Sequence, residues 1–198
     1  MHRPSFKLQL PEWFEEYRSR SAHAALTLAD RMRLVIELSS LNIRNGTGGP
    51  FAAGIFLMDE GTLLAPGVNL VVWGGSSVFH AEIVALIGAQ HKAGVFDLSS
   101  PALSPCELVT STEPCAMCLG AIQWAGIRRL VCGARGSDAE AIGFDEGEKP
   151  QAWTEALKRR GILVERDVCR DEAVAVLKEY RTNGGIVYNA ASNKKAQQ

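Results

Sequence analysis

The sequence predicts a single α/β domain, a mixed sheet covered by helices. Three observations support this. Two short apolar runs flank a tight-turn signal, helical and strand-like patterns alternate through the second half, and the apolar content suits one core. A chain of 198 residues with 46% apolar residues has an ample core as one domain and would be cramped as two.

Residues 13–25 are charged and aromatic and read as a helical extension, so the first 27 residues stand ahead of the domain proper. From Leu28, Met32, Val35, Ile36 and Leu38 share one helical face, and Thr27 and Asp30 are spaced as a capping pair. Gly46, Gly48 and Gly49 end that helix. Residues 51–58 and 63–72 are apolar runs on either side of Asp59-Glu60-Gly61, which predicts two antiparallel strands. After the Gly74-Gly75 break, residues 80–90 carry Ile83, Leu86 and Ile87 at helical spacing, and residues 107–112 form a strand. Pro114 suits the first position of a compact helix that Gly126 closes, and residues 129–134 are a further strand. Residues 152–160, 162–168 and 171–180 read as helix, strand and helix. The domain is therefore expected over residues 28–189, with a small polar tail over 190–198.

Composition removes several function classes. Lys and Arg number 21 against 22 Asp and Glu, a formal charge of -1, so no global positive field exists to hold a nucleic-acid backbone. A tRNA or DNA substrate is not favoured. The first residues lack the apolar core of a signal peptide, and no apolar run reaches the ~18 residues of a membrane span. A soluble, cytoplasmic protein is expected. Five cysteines, an odd number, do not form a disulfide framework, and two of them sit three apart.

The chemistry concentrates in His80-Ala81-Glu82 and Pro114-Cys115-Ala116-Met117-Cys118. Cys115 and Cys118, three apart on one helical face, can point at a single ion, and the positive end of a helix dipole favours their thiolates. His80 adds a third ligand. Three protein ligands leave the fourth tetrahedral position of one zinc ion per chain to water, the arrangement of a catalytic site. Zinc lowers the pKa of such a water to about 7, and Glu82, two residues beyond His80, is the candidate general base and acid. A C-x-x-C pair alone is equally a structural zinc knuckle or a redox dithiol, and His-x-Glu alone is uninformative. Joined, with proline before the first cysteine, they match a signature of zinc deaminases. Cys106, Cys132 and Cys169 lack such spacing and read as small buried hydrophobes, and His2, His23 and His91 as surface groups.

On these motifs the chain resembles the cytidine deaminase superfamily, in its branch of guanine deaminases and tRNA adenosine deaminases, over roughly residues 28–188. The resemblance implies a three-layer α/β/α sandwich around a mixed five-stranded sheet of the cytidine deaminase type, and a homodimer. The stretch Glu140-Ala141-Ile142-Gly143-Phe144-Asp145-Glu146-Gly147 resembles one that guanine deaminases place after the fourth strand, where an acidic residue supplies a second carboxylate. Spacing from the cysteines favours Glu146 over Asp145 for that role. The resemblance further implies that Asn69 hydrogen-bonds the base, that Phe51 and Phe144 line or stack on it, and that the Ala81 backbone N–H contacts the ring. The expected reaction is hydrolysis of guanine to xanthine and ammonia by a zinc-activated water with Glu82 as proton shuttle. Related amino-heterocycles, such as aminotriazines, remain open as substrates. Two other readings stand beside it: a tRNA wobble adenosine deaminase, and a non-catalytic zinc-stabilised interaction module.

Overall fold

A computed structural model describes residues 8–14, 17 and 27–190 of the chain. Helix α1 (Leu28–Arg44) opens with the expected capping box, in which the Thr27 side chain and the Asp30 carboxylate each accept the other's backbone N–H. Strands β1 (Ala52–Leu57) and β2 (Leu63–Val68) form the antiparallel hairpin, turned at Gly61 in the left-handed region, with a register shift at Ile55/Phe56. A short helical turn, α2 (Val71–Gly74), leads to α3 (Ala81–Ala93) and β3 (Cys106–Thr112). Then follow α4 (Ala116–Trp124), β4 (Arg129–Ala134), α5 (Gly136–Glu140), α6 (Trp153–Arg159), β5 (Leu163–Glu165) and α7 (Arg170–Thr182).

The strands lie in the order β2-β1-β3-β4-β5, antiparallel through β3 and parallel from β3 to β5. The expected mixed five-stranded sheet is therefore present. Period-two alternation divides its side chains between two cores. Val109 and Val131 join Met32, Val35 and Leu38 of α1 and Val176 and Leu177 of α7. Leu108, Leu130 and Cys132 join Ala85 and Ala89 of α3, Leu119 and Ile122 of α4 and Leu157 of α6. The result is helix layer, sheet, helix layer.

The register gathers four loops at one edge of the sheet. Ala52 opposes Val68, Ala53 opposes Thr110, and Thr112 opposes Ala134. The entry to β1 and the exits of β2, β3 and β4 consequently meet, the position where open parallel sheets hold ligands. On the same side, α3 approaches β2 so closely that a Cβ on Gly67 would fall 2.3 Å from the Ala81 carbonyl oxygen and 2.5 Å from the Ala85 nitrogen. Only glycine permits that approach.

Several expectations need correction. The second strand stops at Val68 rather than Val72, because the Asn69 Oδ1 accepts the Val71 N–H at 3.3 Å and turns the chain into α2. The last strand is three residues rather than seven. Asp167 and Cys169 adopt left-handed backbone (φ 63° and 51°), which ends the extension, and Arg166 turns away toward Glu113. Pro114 precedes α4 instead of beginning it, since Cys115 is extended and caps the helix. Helices α2 and α5 had no periodic signal. The expected helical extension falls largely outside the described residues; within them residues 12–14 are helical, Phe14 is buried in the first core, and the Trp13 indole donates to Thr47 Oγ1 at 3.2 Å. Of the tail, only Ala190 is described. Among the described residues no helix is long and apolar enough to cross a membrane.

One polar group ties the layers together. Glu107 of β3 is fully buried and accepts from Arg31 of α1 and, at 2.5 Å, from Arg129 of β4. Removing one member of a buried ionic cluster costs more than the cluster gains, since the remaining charge is left desolvated. Glu107→Gln is expected to lower unfolding free energy by about 3–5 kcal/mol in denaturant titration. An unchanged midpoint would mean that both guanidiniums are satisfied without this carboxylate.

Candidate active site

Two helix starts face each other at the sheet edge. His80 precedes α3 and Cys115 precedes α4; both have extended backbone, and neither side chain caps its own helix. Their side chains are thus left to meet, His80 Nδ1 lying 3.4 Å from Cys115 Sγ. Cys118 sits one turn into α4, fully buried, and the ligand atoms of His80, Cys115 and Cys118 all lie within 4.8 Å of one another. A tetrahedral zinc with bonds of about 2.3 Å to sulfur and 2.0 Å to nitrogen has edges of roughly 3.5–3.8 Å. The three residues fit zinc in both donor type and spacing. Among the described residues they are the one such group of three or more.

The thiols are already polarised. A hydrogen bond from Cys118, helped by His80 against the penalty of burial, holds the Cys115 thiol well below its ordinary range. The same bond and burial push Cys118 up. Cys118 also donates to Glu82 Oε2 at 3.4 Å, which sets the Glu82 carboxylate beside the ligands rather than among them. Glu82 is buried, and burial followed by the Cys115 sulfur raises its pKa against the pull of His80.

A cavity of about 330 Å³ opens above these groups, within the range of small-molecule sites. His80, Glu82, Cys115, Asn69, Phe51, Phe144 and Glu146 all line it. Asn69 is buried. Its N–H donates to the Phe51 carbonyl at 3.0 Å, its own carbonyl accepts from Asn42 Nδ2 at 2.9 Å, and its Oδ1 is engaged by Val71, so the amide nitrogen is the part left to face the cavity. Phe51 and Phe144 meet edge to face, with centroids 4.9 Å apart at 74°. The Ala81 side chain goes into the second core, and its backbone lies between His80 and Glu82 at the start of α3.

The loop after α5 separates the two acidic candidates. Asp145 is exposed and its Oδ1 accepts the Gly147 N–H at 2.8 Å, an Asx turn. Glu146 is buried and lines the cavity, its backbone carbonyl accepting the Ala116 N–H at 2.9 Å. Burial, against the ammonium of Lys149 and with the Cys115 and Glu82 charges adding, pushes its carboxyl up to about 7.

Sequence reasoning missed five further groups at the cavity or its edge. Glu113 accepts from Arg166 Nε at 2.6 Å and from the Gly136 N–H at 3.1 Å. Thr112 Oγ1 and the Tyr188 hydroxyl are buried with no hydrogen-bond partner among the described residues. Asn189 folds the C-terminal segment back, donating to the Gly143 carbonyl at 2.8 Å and accepting from the Asp145 N–H at 3.0 Å. Lys149 bonds Glu146. None carries a spacing signal: Thr112 ends β3, and the others reach the site from loops. Cys106 and Cys132 are buried strand residues as expected, Cys169 is half-buried, and His91 is exposed; His2 and His23 lie outside the described residues.

Residues 27–134 match the model of the cytidine and deoxycytidylate deaminase zinc-binding region, a span that contains all three ligands and Glu82. The chain belongs to the cytidine and deoxycytidylate deaminase zinc-binding family. Among members of this family, guanine deaminase of Bacillus subtilis (strain 168) is 35% identical over 115 residues, 58% of this chain and 69% of its own length. A solved guanine deaminase from Nitrosomonas europaea is 45% identical with a TM-score of 0.87, over 92% of this chain and 100% of that one. Another solved structure, in complex with 2,6-diaminopurine, is 47% identical with a TM-score of 0.87, over 92% of this chain and 96% of that one.

As in other zinc deaminases, the ligand set should fail as a unit. The purified chain is expected to hold about one zinc by elemental analysis, because three convergent ligands make a single site. Cys115→Ala and Cys118→Ala are each expected to lose it, while Glu82→Gln retains it. Full zinc content in a Cys115→Ala/Cys118→Ala double variant would place the metal elsewhere.

Proposed function

We propose that the chain deaminates guanine hydrolytically, giving xanthine and ammonia. The observation that carries this reading is the buried Glu82 carboxylate, 3.4 Å from Cys118 and not itself in the ligand group, on the floor of an aromatic-walled cavity. The relatives named guanine deaminase and the neighbour in complex with 2,6-diaminopurine support a purine carrying an amino group at C2.

Zinc, when bound by His80, Cys115 and Cys118, supplies an activated water nucleophile at neutral pH. The chain's own residues do the rest. Phe51 and Phe144 hold the flat ring by stacking and contact, and the Asn69 amide nitrogen donates to an acceptor on its edge. The Ala81 backbone N–H, at the start of α3, is a second donor toward the ring. Glu82 takes a proton from the attacking water as carbon C2 becomes tetrahedral and delivers it to a ring nitrogen. Glu146 assists a proton to the exocyclic amine, so that C–N cleavage releases ammonia and the C2 carbonyl forms. Water is consumed and no oxidant enters the balance.

Two carboxylates are needed because one manages the nucleophile while the leaving amine also requires a proton. Both carboxylates line the cavity, but Asp145 is exposed with its Oδ1 engaged in the Asx turn, whereas Glu146 is buried, which favours Glu146 for the second role. A wobble tRNA substrate is less well supported: of the adjacent arginines, Arg129 is committed to Glu107. The same proposal includes a homodimer, a cytoplasmic location, and an N-terminal extension and polar tail flanking the catalytic domain.

Ammonia release should be measured against guanine, adenine, cytosine, cytidine, guanosine and an adenosine-containing anticodon stem-loop. Guanine is expected to be turned over. Glu82→Ala should reduce kcat by about 10²–10⁴-fold, the usual contribution of a positioned acid–base group, with zinc retained. Asn69→Ala should act mainly on KM. Activity confined to the stem-loop would move the reading to RNA editing, and silence on every substrate would favour a zinc-stabilised module.

A further inference from the structure

We propose that Lys149 is a positioning residue for the deamination, clamping the Glu146 side chain to the turn that carries Cys115. The inference rests on the reading of Glu146 as second carboxylate. Lys149 Nζ lies 3.4 Å from Glu146 Oε2 and donates to the Pro114 carbonyl at 3.3 Å, one residue before the first cysteine ligand. The ammonium is therefore fixed at two points, one on each loop.

The surroundings are built to admit it. Its side chain is only 15% exposed, against 7% for Glu146. A Cβ at Gly136 would fall 2.6 Å from Lys149 Nζ, and 3.7 Å from both Glu113 Oε2 and Glu146 Oε2. A bare glycine therefore opens the space in which one cation sits close to two carboxylates. Glu113 is already matched by Arg166 and the Gly136 N–H, so Glu146 is the carboxylate that depends on Lys149. The backbone of Glu146 is separately anchored, its carbonyl accepting from Ala116 N–H at the start of α4. That bond fixes the loop but leaves the side chain torsions open; Lys149 fixes the carboxylate itself.

A surface ion pair of this length would be worth little. Here both partners are largely withdrawn from water, and the charge is held against burial and against the other acidic and sulfur groups that face it: Glu82, Glu113 and Cys115, with His80 and the Tyr188 hydroxyl nearby. Without the ammonium, Glu146 loses both its orientation and its nearest positive charge.

The experiment compares guanine turnover over a range of pH in the zinc-loaded wild type, Lys149→Met, Lys149→Gln, Lys149→Arg, Glu146→Gln and the Glu146→Gln/Lys149→Met double variant, with zinc content and melting temperature recorded for each. Lys149→Met and Lys149→Gln are expected to lower kcat by roughly tenfold or more with little change in KM, since loss of alignment at the reacting centre is a rate effect. The limb of the kcat–pH profile that disappears in Glu146→Gln is expected to move up by about one pH unit in both, because a neighbouring cation favours the ionised carboxylate. Lys149→Arg should restore both, and Lys149→Met should add nothing in the Glu146→Gln background. Folded, zinc-replete neutral variants with wild-type kcat and an unmoved limb would overturn the clamp, as would an equal loss from Lys149→Met with and without the Glu146 carboxylate. If Glu146→Gln itself turned guanine over at the wild-type rate, the second-carboxylate reading would fall first; an impaired Glu146→Gln beside a normal Lys149→Met removes the clamp alone.

Discussion

The approach of α3 to β2 at Gly67 sets where His80 and Glu82 sit. Backbone meets backbone there, so the first turn of α3 has no lateral freedom, and His80 and Glu82 are carried to the sheet edge at a fixed depth. A second close approach repeats the device on the opposite wall. A Cβ on Gly48 would fall 1.8 Å from the Asn69 carbonyl oxygen and 2.8 Å from Asn42 Nδ2, so the glycine lets the α1–β1 connection press directly on the residue after β2. Between these contacts the side chains that line the cavity project from closely packed main chain. A site built this way is preorganised: His80, Glu82, Cys115 and Cys118 already converge at the sheet edge.

The cost of that rigidity is a crowd of buried charge. Glu82, Glu113 and Glu146 all line one cavity, and each is satisfied by a different kind of partner. Glu113 has a guanidinium and a backbone N–H, Glu146 an ammonium, and Glu82 its own backbone N–H and the Cys118 thiol. The three environments separate the roles. Burial raises the proton affinity of Glu82 and Glu146, the direction that suits a carboxyl for proton transfer near neutral pH. The dipoles of α3 and α4 point their positive ends at the same space, which offsets part of the negative charge and suits thiolate ligands.

The sheet and the ligand set were legible because both are local patterns. Alternating apolar runs specify strands, a capping pair specifies where α1 begins, and two cysteines three apart with a His-x-Glu segment declare themselves wherever the segments fold. The errors arose where one hydrogen bond overrode a pattern. Asn69 reads as strand because apolar residues surround it, yet its side chain accepts the Val71 N–H and ends the strand. The stretch 162–168 reads as one strand, yet left-handed Asp167 stops it and frees Arg166 to reach Glu113.

By itself, the sequence determined the fold class, the group His80, Cys115 and Cys118 that fits zinc, and the carboxylate Glu82 beside it, because each half of that group is a local motif: His80 and Glu82 share one short segment, and Cys115 and Cys118 another. Only the tertiary structure shows that Glu146 is buried in the cavity wall while Asp145, which also lines it, is exposed and held in an Asx turn, that Lys149 bonds Glu146, and that Thr112 and Tyr188 bring to the wall hydroxyls with no partner among the described residues. Those choices depend on which loops the register of the sheet brings to one edge, and on which side chains then lose access to water. Loop-borne groups carry no periodicity, so their meeting is a property of packing and not of spacing.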